Sequence, residues 1–212
     1  MKDTASHSHA SRPDDGRRNA LVSAAAQLFR EQGYDRTTVR ELAAAVGLQS
    51  GSLFHHFRNK EEILLAVMAT GIQSVIDEGE TLLRSEADPA RALEGLFRLH
   101  MNSLIHGVGG NAMHAIIFDW RSLSGEGKRR IRELGDAYEA IWHRAISAAV
   151  DAGLIMGDSV LIRKYVLGGM NHMVRWYKPS GRVKSDAFID EMLKVAFPEL
   201  TAAGNSPLQE KK

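Results

Sequence analysis

The sequence lacks cysteine altogether in its 212 residues. That absence excludes disulfide bonds, thiol catalysis and zinc sites with cysteine ligands. Long apolar stretches are also missing: no run approaches about 18 consecutive apolar residues, so no membrane span is predicted. The N-terminal residues lack the apolar core of a secretory signal. These absences indicate a protein of the cytoplasm.

Charge is nearly balanced, with a net value of +1 at pH 7, so the whole chain gives no argument for nucleic acid as a partner. Locally the balance shifts. Residues 17–60 hold seven basic and three acidic side chains, which gives a local charge of +4. Such a patch neutralises phosphates and releases counterions, although a solvated charged surface has a similar composition.

Apolar residues recur with helical spacing along most of the chain, and no segment alternates in the manner of a β-strand. The sequence therefore predicts an all-α protein of about nine helices. We expect a disordered arm over residues 1–16, a three-helix N-terminal domain over 17–60, a larger helical domain over 61–200 and a frayed tail over 201–212.

Start and stop signals set the predicted helix boundaries. The first helix begins near Arg17 and ends at Gly33, and Thr37 or Thr38 caps the second. The third runs from Ser50 to about Phe57. Later boundaries are predicted at Asn59, at Asp88-Pro89, at a break from Gly107 to Gly110, at Gly153, at Asp158 and at Pro198.

The second and third helices are joined by a tight turn at residues 47–49, which is the spacing of a helix-turn-helix. At about 100° per residue, Leu53 and Phe57 face the same way and are predicted to be buried. The opposite face then holds Gly51, Ser52 and His55. These residues would meet a major-groove edge of DNA. Short helices with glycine turns also occur in proteins that bind no DNA.

Four segments of this region resemble the signature of the TetR family of repressors. They are TTVRELA at 37–43, GL at 47–48, SLFHHF at 52–57 and KEEIL at 60–64. Residues 18–34 are similar to that family's first helix. The resemblance implies an N-terminal helix-turn-helix domain that binds operator DNA as a dimer.

The resemblance also implies a role for each matching position. It implies that Thr38, Phe54, His56 and Lys60 contact the DNA backbone. It also implies that Ser50, Gly51, Ser52 and His55 make contacts at or near the bases. Thr38 and Lys60 also stand at helix N-termini, where backbone N–H groups favour phosphate. The family usually has tyrosine where this chain has Phe54, so we expect only apolar contact there.

The region after Met68 contains no catalytic motif. The His-Glu-x-x-His, P-loop, Gly-x-Ser-x-Gly and Glu-x-x-His patterns are absent, so we expect neither an enzyme nor a metal site. Asp136, Glu139 and His143 do share a helix face. Histidines are scattered at His100, His106, His114, His143 and His172. An all-α metal-binding protein is therefore kept as an alternative.

Aromatic, cationic and methionine side chains recur in this C-terminal half. Trp120 precedes Arg121, and Arg175 precedes Trp176. A pocket with aromatic walls, methionine lining and a cationic mouth would suit an anionic amphipathic ligand, while core packing is the alternative. The predicted ligand-binding residues are Met101, His114, Phe118, Trp120, Arg121, Tyr138, Met173, Arg175, Trp176 and Arg182.

Two shorter segments resemble a TetR subgroup involved in lipid, steroid or fatty-acid breakdown. They are WYKPSGR at 176–182 and DAYE at 136–139, after Arg132. The resemblance implies an acyl-CoA thioester as the effector, with CoA phosphates near Arg175, Arg182 or Lys184. A broader hydrophobic effector is the alternative, and no resident cofactor is expected.

A glycine pair, Gly168-Gly169, interrupts the eighth predicted helix at a cost of about 2 kcal/mol in helix propensity. Close contact with another helix would offset that cost. The TetR resemblance implies that the last two helices of each subunit form a four-helix dimer bundle. We therefore expect a homodimer through residues 159–177 and 185–197.

These features together predict a ligand-responsive transcriptional regulator. We expect a repressor that a hydrophobic or acyl-CoA-like effector releases from a palindromic operator. A DNA-binding regulator that needs no ligand is the main alternative.

Overall fold

The computed structural model describes residues 13–203, and within this range it contains ten α-helices and no strand. The all-α prediction is confirmed. The helices are α1 (Pro13–Gln32), α2 (Val39–Ala45), α3 (Ser50–Leu53), α4 (Lys60–Ser85), α5 (Pro89–Ile105), α6 (Gly107–Asp119), α7 (Gly125–Asp151), α8 (Ser159–His172), α9 (Ser185–Ala196) and α10 (Pro198–Ala203). Short 3-10 turns follow α6 and α8.

Polar side chains begin five of these helices. In α2, α4, α5, α7 and α8, respectively, the first turn donates a backbone N–H to Thr38, Asn59, Asp88, Ser124 and Asp158. These bonds satisfy N–H groups that have no partner within the helix itself. The predicted starts at Thr38, Asn59, Asp88 and Asp158 are confirmed.

Besides the end of α3, which is described below, three boundaries differ from the prediction. Helix α1 begins at Pro13, inside the segment expected to be disordered, because proline suits the first turn of a helix. Only His106 separates α5 from α6, since one residue of extended backbone there is enough to start a new helix. Helix α10 begins at Pro198 and reaches Ala203, so it overlaps the expected tail. The rest of the predicted arm and tail lies outside the described residues.

Helices α1 to α3 close around one apolar cluster, in which Leu21, Phe29, Leu42 and Leu53 are fully buried. Helix α4 leaves this cluster and continues into the C-terminal half, spanning about 39 Å with its 26 residues. Helix α6 packs against α1, α4 and α5. Helices α4 and α6 therefore both connect the N-terminal domain to the C-terminal half. None of the helices between residues 13 and 203 is long and apolar enough to cross a membrane.

Candidate DNA-binding surface and ligand cavity

A glycine turn sets the angle between α2 and α3. Gly47 has a φ of +69°, in the left-handed region that glycine adopts without strain. Its N–H donates to the Ala44 carbonyl at 3.1 Å, and the Leu48 N–H donates to the Ala43 carbonyl at 2.9 Å. This pattern is the Schellman motif of a helix end, and it directs the chain sharply into α3.

Helix α3 and the turn that follows it direct two large apolar side chains into the domain. Leu53 and Phe57 are buried, as the helical spacing predicted. On the other side, Gly51 and His55 are exposed and Ser52 is half-buried. The predicted orientation of the helix is thus confirmed, whereas the DNA contacts assigned to these residues stay predictions.

The third helix is shorter than predicted, because α3 ends at Leu53. The N–H groups of Phe54, His55 and His56 donate to carbonyls three residues earlier, which is 3-10 geometry. Such a turn advances each side chain by about 120° instead of about 100°, so both histidines are rotated from their places on an α-helical wheel. Phe54 is 52% exposed, and the apolar DNA contact expected of it stays a prediction.

Thr38 forms a capping box with Glu41. The Glu41 N–H donates to Thr38 Oγ1 at 3.2 Å, and the Thr38 N–H and hydroxyl both donate to Glu41 Oε2 at 2.7 Å. The backbone N–H of Thr38 also lowers the pKa of the Glu41 carboxyl. Thr38 is exposed, so the side chain that holds the start of α2 also faces the solvent.

Lys60 has an intramolecular role that we did not predict. Its Nζ donates to the carbonyls of Tyr34 at 2.9 Å and Thr37 at 3.1 Å, and it lies 4.1 Å from the centre of the Tyr34 ring. The ammonium group therefore ties the start of α4 to the loop between α1 and α2. A phosphate would have to share or replace these bonds, and the predicted phosphate contact stays a prediction.

A cavity of about 270 Å³ lies among α4, α5, α6, α7 and α8. Its apolar wall contains Ile72, Val75, Leu104, Met113, Ile116, Ile131 and Leu167. Of the ten residues predicted to bind a ligand, only Trp120 and Tyr138 line this cavity. We refer to it below as the α4–α8 cavity.

The other eight predicted ligand residues do not line this cavity, and their assignment to a ligand stays a prediction. Met101 is buried in the core, and His114 and Met173 line a small separate depression. The Arg175 guanidinium lies over the Phe118 ring, and Trp176 packs on Phe188. Arg121 and Arg182 are exposed. The physical reason is helical rotation. Neighbours in sequence point about 100° apart on a helix, so a cation beside a tryptophan in sequence need not share its pocket.

Three helices contribute a buried polar cluster to the cavity wall. His100 on α5, only 2% exposed, has its Nδ1 2.9 Å from the Tyr138 hydroxyl on α7 and its Nε2 3.0 Å from Asn171 Oδ1 on α8. Burial lowers the pKa of His100 to about 4, so the ring is neutral at pH 7. Burial also raises the pKa of Tyr138, which keeps its hydroxyl protonated.

Two arginines near the cavity differ in their partners. Arg163 bonds Glu139, a wall residue, with its Nη1 3.1 Å from Glu139 Oε2. Arg132 also lines the wall, and its guanidinium lies 5.5 Å from the centre of the Trp120 ring. Within the described part of the chain Arg132 has no carboxylate partner. It is therefore a wall cation left free for an anionic ligand.

Our prediction from sequence did not include Arg132, His100 or Asn171 among the ligand residues. Six positions separate Arg132 from Tyr138 on α7, which is about 600° of rotation, so spacing alone does not place the two on one face. His100 and Asn171 carry no local signal either, because they meet Tyr138 only when α5 and α8 pack on α7.

A larger groove, of about 680 Å³, runs between α1, α4 and α5, and shares Gly71, Val75 and Ser103 with the cavity wall. Its lining contains Glu78 but, among the described residues, no lysine or arginine. An anionic group would find no positive partner there. The α4–α8 cavity is therefore the better site for an anionic amphipathic ligand.

The metal alternative gains no support. Among the side chains that the structure describes, no three histidine, aspartate or glutamate residues lie close enough together to hold a metal ion. On α7, His143 is exposed, and Glu139 is paired with Arg163.

Polar contacts join the two halves of the chain. Arg30 on α1 donates to Asn111 Oδ1 on α6 at 3.0 Å, and the Ser124 N–H donates to Glu61 Oε1 at 2.6 Å. At the other end of α6, burial raises the pKa of Asp119, and the Tyr34 backbone N–H opposes that shift. Helix α6 thus faces the cavity on one side and the N-terminal domain on the other.

Helices α8 and α9 leave an apolar face uncovered. Leu161, Tyr165 and Val195 are 67%, 77% and 69% exposed. A groove beside them includes both Gly168 and Gly169, and a Cβ added to either glycine would meet no atom within 4 Å. The glycine pair therefore makes no close helix contact within one chain.

Comparisons with known families match both halves of the chain. The profile described as bacterial regulatory proteins, tetR family, matches residues 21–67, and the tetracyclin repressor-like, C-terminal domain matches residues 86–200.

Individual relatives extend over most of the chain. The HTH-type transcriptional repressor KstR2 of Rhodococcus jostii (strain RHA1) is 27% identical over 197 residues, which cover 90% of this chain and 94% of that repressor. The structure of AibR in complex with isovaleryl coenzyme A and operator DNA is 28% identical, with a TM-score of 0.77, over 86% of this chain and 98% of that one. Superantigen PfiT is 37% identical, with a TM-score of 0.73, over 87% and 97%.

Proposed function

The chain belongs to the TetR family of bacterial regulatory proteins, and on that premise we propose that it is a dimeric repressor released from operator DNA by an acyl-CoA-like effector. The helix-turn-helix of α2 and α3 binds the operator, and the α4–α8 cavity binds the effector. The effector is a signal in this proposal and not a substrate.

The observation that carries the effector assignment is Arg132. It is a cavity-wall cation with no carboxylate partner among the described residues, and it lies against the Trp120 ring. The neighbouring Arg163 is already neutralised by Glu139. A free guanidinium beside an apolar cavity suits a ligand with an anionic head and an apolar body. AibR, a structural relative, was crystallised with an acyl-CoA and DNA together.

Helix α6 is the proposed link between effector and DNA. Its Met113 and Ile116 line the cavity, while its Asn111 bonds Arg30 in α1. An effector that fills the cavity therefore presses on a helix that holds the N-terminal domain in place. Helix α4, which begins at the same domain and also lines the cavity, moves with it. Coupling of about 1–3 kcal/mol, or roughly 5–150-fold in operator affinity, is typical for such linkage.

A homodimer follows from the uncovered face of α8 and α9. Contiguous exposed apolar side chains of this kind mark an interface more often than a free surface, and the open Gly168-Gly169 groove allows a partner helix to approach closely. A second copy on this face would set two α3 helices about 34 Å apart, one turn of DNA, over a palindromic site.

The test is release of operator DNA by acyl-CoA thioesters, followed by fluorescence anisotropy of labelled operator. We expect short and medium acyl-CoAs to weaken binding by the wild-type protein. In Arg132→Leu, DNA binding should persist, while the effector concentration for half release rises about tenfold or more. Arg129→Leu, on the same helix and equally exposed but outside the cavity lining, is the matched control.

Two results would overturn the proposal. If no acyl-CoA, fatty acid or other lipophile weakens operator binding, the ligand-independent regulator is the better description. If Arg132→Leu responds to the thioester like Arg129→Leu, the anionic head is bound elsewhere, and the groove between α1, α4 and α5 becomes the site to examine.

A further inference from the structure

Resting on the proposed function, we propose that Glu61 is a positioning residue that transmits the binding of the effector's anionic head from α7 to the DNA-binding domain. In this inference α6 reports the apolar body of the effector, and α7, through Arg132, reports its anionic head. The two helices then act on the N-terminal domain at separate contacts.

The contact between the start of α4 and the start of α7 is short and charge-assisted. The Ser124 backbone N–H donates to Glu61 Oε1 at 2.6 Å. That N–H also lowers the pKa of the Glu61 carboxyl, so the group is ionised at pH 7. The carboxylate lies at the N-terminal end of a 27-residue helix, where the helix dipole favours a negative charge. Bonds of this kind are about twice as strong as those between neutral groups.

A glycine lets the two helix starts approach each other closely. Gly127 is buried, and a Cβ built on it would lie 3.6 Å from Glu61 Oε1 and 3.4 Å from the Leu123 side chain. The Gly127 N–H donates to the Ser124 hydroxyl at 3.3 Å, which caps α7 at the same point. The first turn of α7 is therefore fixed both to its own helix and to Glu61.

On the side of the DNA-binding domain, Glu61 lies in a helical turn that is joined to the end of the helix-turn-helix. The Glu62 N–H donates to Asn59 Oδ1 at 2.8 Å, and the Arg58 N–H donates to Glu62 Oε2 at 2.7 Å. Arg58 follows Phe57, which is buried in the domain. A displacement of Glu61 is therefore passed over four residues to the turn after α3.

On the side of the effector, α7 connects this contact to the cavity. Arg132 lies eight residues after Ser124 on one continuous helix, a rise of about 12 Å. An anionic head that draws Arg132 towards itself would therefore displace the start of α7 as well.

Helix α6 receives a different part of the effector. The residues that α6 contributes to the cavity wall are apolar, and its polar bond to the N-terminal domain joins Asn111 to Arg30 on the protein surface. Contact with the body of the effector would act through this helix, whether or not the ligand is charged. The two signals can therefore be separated by the choice of ligand.

The experiment compares two effectors at saturation: octanoyl-CoA, which has an anionic head, and methyl octanoate, which has the same acyl group and no charge. Fluorescence anisotropy gives the factor by which each ligand weakens operator binding. In the wild-type protein this factor should be about fivefold larger for the thioester, the effect of one net hydrogen bond. In Glu61→Ala it should fall to the value for the ester. Isothermal titration without DNA should show octanoyl-CoA affinity unchanged within about twofold.

Two further variants serve as controls. Asn111→Ala removes the bond to Arg30 and should lower both factors alike, so that the fivefold difference between the ligands is kept. Glu61→Gln keeps an oxygen acceptor for the Ser124 N–H and should retain about a twofold difference, since the neutral bond is weaker. This second variant keeps the inference testable if Glu61→Ala fails to fold. Each factor is a ratio within one variant, so a change in basal operator affinity cancels.

The outcomes separate the two proposals. If octanoyl-CoA does not weaken operator binding by the wild-type protein, the acyl-CoA proposal fails, and the inference fails with it. If both ligands weaken binding equally in the wild type, or if Glu61→Ala keeps the fivefold difference, the acyl-CoA effector stands and the role of Glu61 is overturned. A difference that is lost equally in Asn111→Ala assigns both signals to one contact and also overturns it.

Discussion

The DNA-binding surface and the ligand cavity are built from segments of very different length. Residues predicted to contact DNA all lie between Thr38 and Lys60, and a capping box and a Schellman turn hold that segment in place. The cavity wall runs from Gly71 to Asn171 and takes side chains from five helices. A substitution in the first region should therefore alter only the structure around it, whereas a substitution in the second should alter the packing of several helices.

The largest expected effect comes from a residue outside both regions. In Tyr165→Glu a charge is placed on the uncovered face of α8 and α9, and the dimer should dissociate. Operator affinity should fall about 10²–10⁴-fold, because two half-sites are no longer bound as one unit. Analytical ultracentrifugation and anisotropy measure this, with Ala87→Glu as an exposed control. A monomer that still binds the full operator tightly would contradict the dimer model.

A matched pair of core changes tests whether the two regions are separate. Leu53→Ala in α3 and Leu96→Ala in α5 each remove a fully buried side chain, and each should lower the free energy of unfolding by about 3 kcal/mol. At a temperature where both variants are folded, Leu53→Ala should lose operator binding yet retain effector binding. Loss of effector binding in Leu53→Ala as well would show that the two regions are not structurally separate.

The buried imidazole of the cavity predicts a pH effect on stability. Burial lowers the pKa of His100 from 6.5 to about 4, so the unfolded chain takes up the proton first. The free energy of unfolding keeps its full value above a pH of about 6.5, and it falls as the pH drops towards about 4. Between pH of about 7.5 and 5, the loss should be about 2 kcal/mol. Urea unfolding at both values measures it, and His100→Gln should lose distinctly less.

A smaller effect is expected at the junction of the two regions. Lys60→Met removes the ammonium group from the carbonyls of Tyr34 and Thr37, and should lower the free energy of unfolding by about 1–2 kcal/mol. Urea unfolding measures this change. Unaltered stability combined with a salt dependence of operator binding that is flatter by roughly one unit would show that the ammonium serves a phosphate instead.

The smallest expected effect is on base discrimination. His55→Ala and Ser52→Ala should each reduce the preference for operator over random DNA by about 1 kcal/mol, with folding and dimerisation unchanged. Competition anisotropy measures that preference. If both variants keep the wild-type sequence preference, these two residues do not contribute to base recognition.

Prediction from sequence succeeded where the signal is local. Thr38, Asn59, Asp88 and Asp158 were identified as helix starts because a cap needs only its own side chain and the next turn. The buried pair Leu53 and Phe57 followed from spacing in one short segment. The length of α3 was predicted incorrectly, since a change from α to 3-10 geometry leaves the residue pattern unaltered.

The cavity could be predicted only in part. Trp120 and Tyr138 were expected to bind a ligand and do line the cavity, whereas the cations paired with tryptophans in sequence do not. His100 and Asn171 are 71 positions apart, and nothing in either local segment indicates their contact. Lys60 was assigned to DNA from its place at a helix start, and its bonds to the loop after α1 depend on how α1 and α4 pack.

The sequence by itself determined the all-α class, the helix-turn-helix with its inward and outward faces, and the family, because caps, glycine turns and amphipathic spacing act over a few residues. Only the tertiary structure decided which side chains enclose the cavity, which arginine there stays free, and where the buried polar cluster of His100, Tyr138 and Asn171 lies. Those features depend on the rotation and packing of helices that are far apart in the chain. The residues next to each of these side chains in sequence give no indication of the contacts it makes.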